Sequence, residues 1–133
     1  VWSKPMLGVL YAGFLWLAAG LILDGLAAFG QLPPTVAVHA ITTGAIGVLT
    51  LGMMSRVTLG HTGRHMQASR LTLLAFLLIN TAALLRSPAA LLDPGDYSTW
   101  LLAAGVCWIA AFALFTAIYG PMLVAPRVDG KPG

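Results

Sequence analysis

The chain has 133 residues, of which 59% are hydrophobic and only 8% charged, and its mean hydropathy is +0.89. Soluble domains typically carry about a quarter charged residues, so this composition predicts an integral membrane protein without room for a soluble domain. The formal net charge of +3 comes without a basic cluster on a folded polar surface, which argues against nucleic-acid binding. The single cysteine, Cys107, excludes an internal disulfide.

Four apolar segments separated by glycine and proline predict membrane-spanning helices. They run over residues 5–29, 36–59, 71–85 and 97–123. Spans of about 20 residues cross a bilayer, and only helices or closed barrels satisfy backbone groups within lipid. Strict alternation of apolar and polar residues, which a barrel requires, is absent. We therefore predict an all-α fold, a single membrane domain over residues 1–133 with four transmembrane helices.

The distribution of charge predicts the orientation of this bundle. Four spans return both chain ends to one side, here called side A. Six basic residues lie on or near side A: Lys4, Arg56, Arg64, Arg70, Arg127 and Lys131. The opposite side, side B, carries Arg86 beside Asp93 and Asp96. By the positive-inside rule we expect side A, and both termini of this segment, to be cytoplasmic.

Helix-helix contacts are predicted from small and polar residues within the spans. Glycines crowd the second span at Gly44, Gly47 and Gly52, and small residues allow helices to approach closely. Asn80 is expected to form a hydrogen bond across the bundle. Asp24 and Arg86 both lie toward side B, where we expect a structural ion pair.

Two histidines bracket the second span and are the first candidates for function. Ionisable side chains at membrane depth are costly, so His39 and His61 are candidate metal or haem ligands. Neutral imidazole binds both haem iron and copper. Because 22 residues of helix measure ~33 Å, these histidines belong to separate sites. The alternative is that each simply bonds to a neighbouring helix.

A helical wheel at ~100° per residue places a polar stripe on the second span. Its members are His39, Thr43, Ile46, Thr50, Val57 and His61, flanked by Met53 and Met54. We expect the stripe to face the bundle interior. It also supports a second hypothesis, a transporter or channel whose path is lined by histidine and threonine.

Further candidate ligands lie toward side A. His65 follows His61 by four residues, which on a helix would place both on one face as a metal-binding pair. The intervening Gly63 weakens this prediction and favours the alternative, in which His65 is a solvated loop histidine. Met53 and Met54 would add thioether ligands, which together with imidazole suit Cu(I). Ordinary packing is the alternative for these methionines.

Arg56 and Arg64 are candidates for binding an anion such as a haem propionate, because a guanidinium group binds a carboxylate through two hydrogen bonds. For Arg56, extension of the side chain to the membrane surface is the alternative. The sequence contains no nucleophile–base pair, phosphate-binding loop or paired carboxylates, and it lacks glutamate altogether. A classical hydrolytic enzyme is therefore poorly supported, and no catalytic residue is assigned.

Four stretches together resemble the C-terminal third of the NnrS family. They are K-P-M-L-G-V-L-Y (Lys4–Tyr11), H-A-I-T-T-G-A-I-G (His39–Gly47), G-M-M-S-R-V-T-L-G-H-T-G-R (Gly52–Arg64) and P-R-V-D-G-K-P-G (Pro126–Gly133). The Gly-His-Thr-Gly-Arg turn is the most specific part. The resemblance covers essentially the whole chain, and because the chain starts without methionine we expect it to be a piece of a longer protein.

The resemblance implies a bacterial inner-membrane protein of roughly twelve spans, linked to nitric oxide metabolism, denitrification and resistance to nitrosative stress. It implies haem b and copper as cofactors, with His39 and His61 as candidate ligands and Arg56 and Arg64 as their polar partners. Metal-centred nitric oxide chemistry is then the activity to consider. The implied partners are the bilayer, the N-terminal spans and nitric oxide itself.

A third interpretation treats this segment as one part of a larger assembly. Some of its polar residues would then be covered by the missing spans, or by self-association, and would lie exposed in this segment alone.

Overall fold

The computed structural model describes residues 4–89 and 94–130, a region in which all regular structure is helical. The elements are α1 (Pro5–Ala28), α2 (Pro34–His39), a π-helical segment (Ala40–Ile46), α3 (Gly47–His61), α4 (Arg70–Arg86), a short 3-10 turn (Pro94–Asp96) and α5 (Tyr97–Val124). Because α2, the π-helical segment and α3 are continuous, residues 34–61 form one rod, here called the central rod. The prediction of an all-α membrane bundle is confirmed; Asp93 and Lys131 lie outside the described residues.

Three of the helices are long and apolar enough to cross a membrane: α1, the central rod and α5. Helix α4 has 17 residues, or ~26 Å at 1.5 Å per residue, slightly less than the ~30 Å hydrocarbon core. The four helices begin and end within a few residues of the four apolar segments of the sequence.

Glycine ends two of the helices. At the end of α3, Gly63 has φ +70°, the Arg64 amide donates to the Leu59 carbonyl and the Gly63 amide donates to the Gly60 carbonyl. These two hydrogen bonds define a Schellman motif, in which a left-handed residue reverses the chain. The Gly-His-Thr-Gly-Arg sequence therefore has a structural role as a helix stop, whatever else it does.

The central rod packs against α1 on one side and against α4 and α5 on the other, and α4 pairs extensively with α5. Glycines make these contacts close. A Cβ atom at Gly44 would lie 2.6 Å from the indole of Trp16 in α1, and one at Gly47 would lie 2.6 Å from the indole of Trp108 in α5. The prediction that small residues permit close helix approach is confirmed.

Hydrogen bonds between helices fix this arrangement. The Trp16 indole N–H donates to Oδ1 of Asn80 (3.0 Å), so the predicted cross-bundle bond of Asn80 is confirmed. The Thr72 and Tyr119 hydroxyls, both buried, join α4 to α5 (3.0 Å). The predicted Asp24–Arg86 ion pair is wrong. Arg86 instead donates to the Tyr97 hydroxyl, and among the described residues Asp24 has no ionic partner.

Candidate ligand sites at the two ends of the central rod

The polar stripe predicted on the central rod does not face the interior of the described bundle. Ile46, Thr50, Val57 and His61 are exposed, and His39 and Thr43 are only partly buried. The buried face instead carries glycine, alanine and leucine together with Ser55 and Thr58.

The prediction failed because the close fit of small residues, and not side-chain polarity, selects the packed face of this rod. The π helix at Ala40–Ile46, with its wider i→i+5 turns, rotates the residues after it relative to His39. It does not account for Thr50, Val57 and His61, which lie together on the regular helix α3 and are all exposed. Polar side chains also occur on the buried face of the rod. The Ser55 and Thr58 hydroxyls donate to the carbonyls four residues earlier, and these hydrogen bonds allow both side chains to be buried.

At side A, one open cleft collects the soft donor groups. His61, Met53 and Met66 line it together with Arg56 and Arg127, and its volume is about 480 Å³. Met66 reaches the cleft because the turn at Gly63 brings the chain back toward Gly60. The sequence pattern did not connect Met66 with His61, since the fold-back depends on the helix stop.

Two candidate ligands are separated from this cleft. Met54, although adjacent to Met53, is not among its lining residues, because neighbouring residues on a helix point in different directions. His65 lies beyond the helix stop on an exposed segment, so the predicted helical pair of His61 and His65 does not form.

The two arginine candidates have different surroundings. Nη1 of Arg56 donates to the Met6 carbonyl (3.1 Å), which ties α3 to the first turn of α1. Nη1 of Arg64 is buried and has no hydrogen-bond partner among the described residues. A buried donor without a partner is costly, so Arg64 is the better placed of the two to bind an added anion.

The segment after α5 folds back over the α3 stop. The Val128 amide donates to the Thr62 carbonyl (3.2 Å). The carboxyl carbon of Asp129 would lie only 2.7 Å from a Cβ atom built at Gly63. Arg127 binds Asp129 through two hydrogen bonds of 2.9 and 2.6 Å, which raise the pKa of Arg127 above its usual value. This tail forms one wall of the side A cleft through Arg127.

At side B, His39 is partly buried at the junction of α2 and the π-helical segment. One turn later, Thr43 lines a small cavity of about 140 Å³ with Arg86 and Trp108. Arg86 is held there by Tyr97, both through its hydrogen bond and by stacking, with the guanidinium carbon 5.6 Å from the ring centroid. His39 and His61 thus lie at opposite ends of the rod, as predicted.

The donor sets partly fit the implied metals. Imidazole with two thioethers, as at side A, is a donor set that suits Cu(I), and a single imidazole is a donor that haem iron accepts. Among the described residues, no three His, Cys, Asp or Glu side chains are grouped to hold a metal ion. Neither end therefore holds a complete ligand set within the described part of the chain, and Cys107, partly buried within α5, lines neither cavity.

The family described as NnrS protein matches residues 1–127. The chain belongs to the NnrS family. No curated protein and no solved structure matches it. Membership, together with the apolar helices, establishes an integral membrane protein of the nitric oxide response family. The predicted membership of the NnrS family is confirmed, and the match includes the first three of the four motifs.

Proposed function

We propose that this chain is part of a haem- and copper-binding membrane protein that acts in nitric oxide metabolism and protects against nitrosative stress. The observation that carries the proposal is the side A cleft, which His61, Met53 and Met66 line together. Family membership supplies the nitric oxide context. A bound haem or copper would supply a redox-active centre with affinity for nitric oxide.

The residues divide the task between the two ends. His61, Met53 and Met66 would hold copper at side A, where soft ligands favour Cu(I). Arg64 would bind an anionic group at side A through its unpartnered Nη1. His39 would provide an imidazole ligand for haem at side B, near the positive charge of Arg86.

Completion of each site requires additional spans. The exposed stripe of the central rod supports this part of the proposal, since Thr43 and Thr50 have no hydrogen-bond partner among the described residues. Unsatisfied hydroxyls in lipid are unfavourable, and a further helix would cover them. The N-terminal spans implied by the family are the partner we propose for this face.

The proposed location is the bacterial inner membrane with side A cytoplasmic. Lys4, Arg64 and Arg70 are at this end of the described helices, and cytoplasmic ends are enriched in basic residues. The side A cleft would then face the cytoplasm, and His39 would lie near the periplasmic surface.

The experiment that tests the proposal is optical and metal analysis of the detergent-purified full-length protein beside His39→Ala and His61→Ala variants. We expect a Soret band that is lost in one variant only and copper that is lost in His61→Ala. Met54→Leu is the matched control for Met53→Leu, since only Met53 lines the cleft. Copper loss should accompany the Met53 change alone.

Absence of both haem and copper from the wild-type protein would contradict the proposal and favour transport. The described residues enclose no path along the polar stripe, which is exposed. A transport path would therefore have to be completed by other spans. Loss of flux in proteoliposomes on changing His39, in a protein without metal, would establish the transport alternative.

A further inference from the structure

Three clefts that share lining residues from one to the next form a groove that begins beside the side A cleft, at Arg56 and Met66, and leads away from it along α1. The first, of about 670 Å³, opens at side A beside Lys4 and Arg56 and includes Pro5. The second, of about 410 Å³, shares Pro5 and continues between α1 and α4 to Ala12 and Asn80. The third, of about 360 Å³, shares Ala12 and Asn80 and extends to Ala19 and Leu84.

The mouth of this groove is cationic. Lys4 and Arg56 line it, and no acidic residue is among its lining residues. The Met6 carbonyl holds the guanidinium of Arg56 in place by accepting one of its hydrogen bonds. The other N–H groups of Arg56 have no partner among the described residues and are available to an anion.

The remainder of the groove is apolar and runs along α1 and α4. Its walls are α1 and α4, with Val9, Phe76 and Leu77 among the lining side chains. Asn80, the polar exception, already bonds to Trp16 and to the Phe76 carbonyl. From Pro5 to Ala19 the groove extends ~21 Å along α1, which exceeds the ~15 Å depth of one leaflet.

We propose that this groove binds an anionic phospholipid of the side A leaflet, with the phosphate between Lys4 and Arg56 and one acyl chain between α1 and α4. A cationic mouth at the interface, continuous with an apolar groove, matches the two chemical parts of such a lipid. Basic pockets between transmembrane helices bind anionic head groups in this way. A soluble phosphate would use the mouth but would leave the apolar groove unexplained.

The test is native mass spectrometry of the purified full-length protein titrated with dioleoyl phosphatidylglycerol or dioleoyl phosphatidylcholine. Each basic contact is worth about a fivefold change in affinity, so we expect a preference for phosphatidylglycerol of about 25-fold. Lys4→Gln combined with Arg56→Gln should abolish that preference. Arg70→Gln, an exposed side A arginine outside the groove, should retain it.

A second pair of variants tests the acyl chain. Ala12→Leu fills the groove where two of its clefts meet, and should weaken binding of both lipids about tenfold or more. Ala18→Leu, on the exposed face of the same helix, is the matched control and should leave binding unchanged. Lys4 is exposed, so Lys4→Gln alone keeps the head-group test independent of folding.

Four results would overturn the proposal. Equal affinity of the wild-type protein for the two lipids would show that the groove does not select an anionic head group. Equal effects of the Lys4→Gln/Arg56→Gln variant and of Arg70→Gln would show that the head group does not bind at the groove mouth. Displacement of the lipid by millimolar glycerol phosphate would indicate a soluble-anion site. Unchanged binding in Ala12→Leu would show that no acyl chain occupies the groove.

Discussion

The two faces of the central rod differ in the size and polarity of their side chains. On the packed face, Gly44 and Gly47 receive the indoles of Trp16 and Trp108, so absence of a side chain is what makes the contact. On the exposed face, Thr50 and Val57 have their side chains directed away from the bundle. In a membrane, where lipid is as apolar as leucine, close fit rather than hydrophobicity determines which face is internal.

The largest effect is expected from Gly44→Ala on the packed face. The new Cβ would lie 2.6 Å from the Trp16 ring, and moving that ring weakens its hydrogen bond to Asn80. Overpacking of this kind costs about 1–3 kcal/mol. The free energy of unfolding of the full-length protein in an SDS titration measures it.

Gly105→Ala in α5 is the control, because nothing lies within 4 Å of a Cβ there. It should be neutral, or stabilising by up to about 1 kcal/mol through helix propensity. Equal losses in the two variants would mean that the close indole contact does not stabilise the bundle.

Tyr119→Phe is expected to cost about 1 kcal/mol, because it removes the hydroxyl that bonds to buried Thr72. The same unfolding titration measures this change. Tyr11→Phe, at a half-exposed tyrosine without a hydrogen bond among the described residues, should have no measurable effect. If Tyr119→Phe and Tyr11→Phe change the free energy of unfolding equally, the hydrogen bond between α4 and α5 makes no net contribution to stability in the membrane.

Thr50→Val addresses the exposed face directly. If the proposed N-terminal spans cover this face and bond to the Thr50 hydroxyl, its loss should cost about 0.6 kcal/mol in the full-length protein. Thr116→Val is the matched control, since that hydroxyl is bonded within its own helix to Phe112. A stabilised Thr50→Val protein would indicate that the face contacts lipid instead.

The smallest effect is expected from Arg127→Gln. The bond to Asp129 raises the pKa of Arg127, so its contribution is present below the usual arginine pKa and is lost only as pH rises above the raised value. The small loss of thermal stability caused by this substitution should therefore be the same at every pH between about pH 6 and pH 9. A pH-dependent difference in that range would show that another group titrates with the tail.

The sequence was sufficient to predict the helices, because their signals are local. Span length, glycine and proline breaks and the glycine-rich contact face are each visible within one segment of the sequence. The cross-bundle hydrogen bond of Asn80 was also predictable, because an amide in an apolar helix has few other polar groups to bond with. The exposed stripe was predicted wrongly because the packed face is selected by the fit of Gly44 and Gly47 against indoles of two other helices, which the sequence of one span does not show. The grouping of Met66 with His61 depends on a chain reversal, and the Arg86–Tyr97 contact on the placement of two separate helices.

The π-helical segment also sets the angle between the two ends of the central rod. If all seven residues of Ala40–Ile46 became a regular α helix, each would turn through ~100°, more than in the wider i→i+5 turns, and the two ends would rotate relative to each other. Composition, length and hydropathy of the span would not change. Nevertheless, His39 and His61 would then be presented to different neighbours, so the local helix geometry between them, and not only their identity, defines where each histidine points.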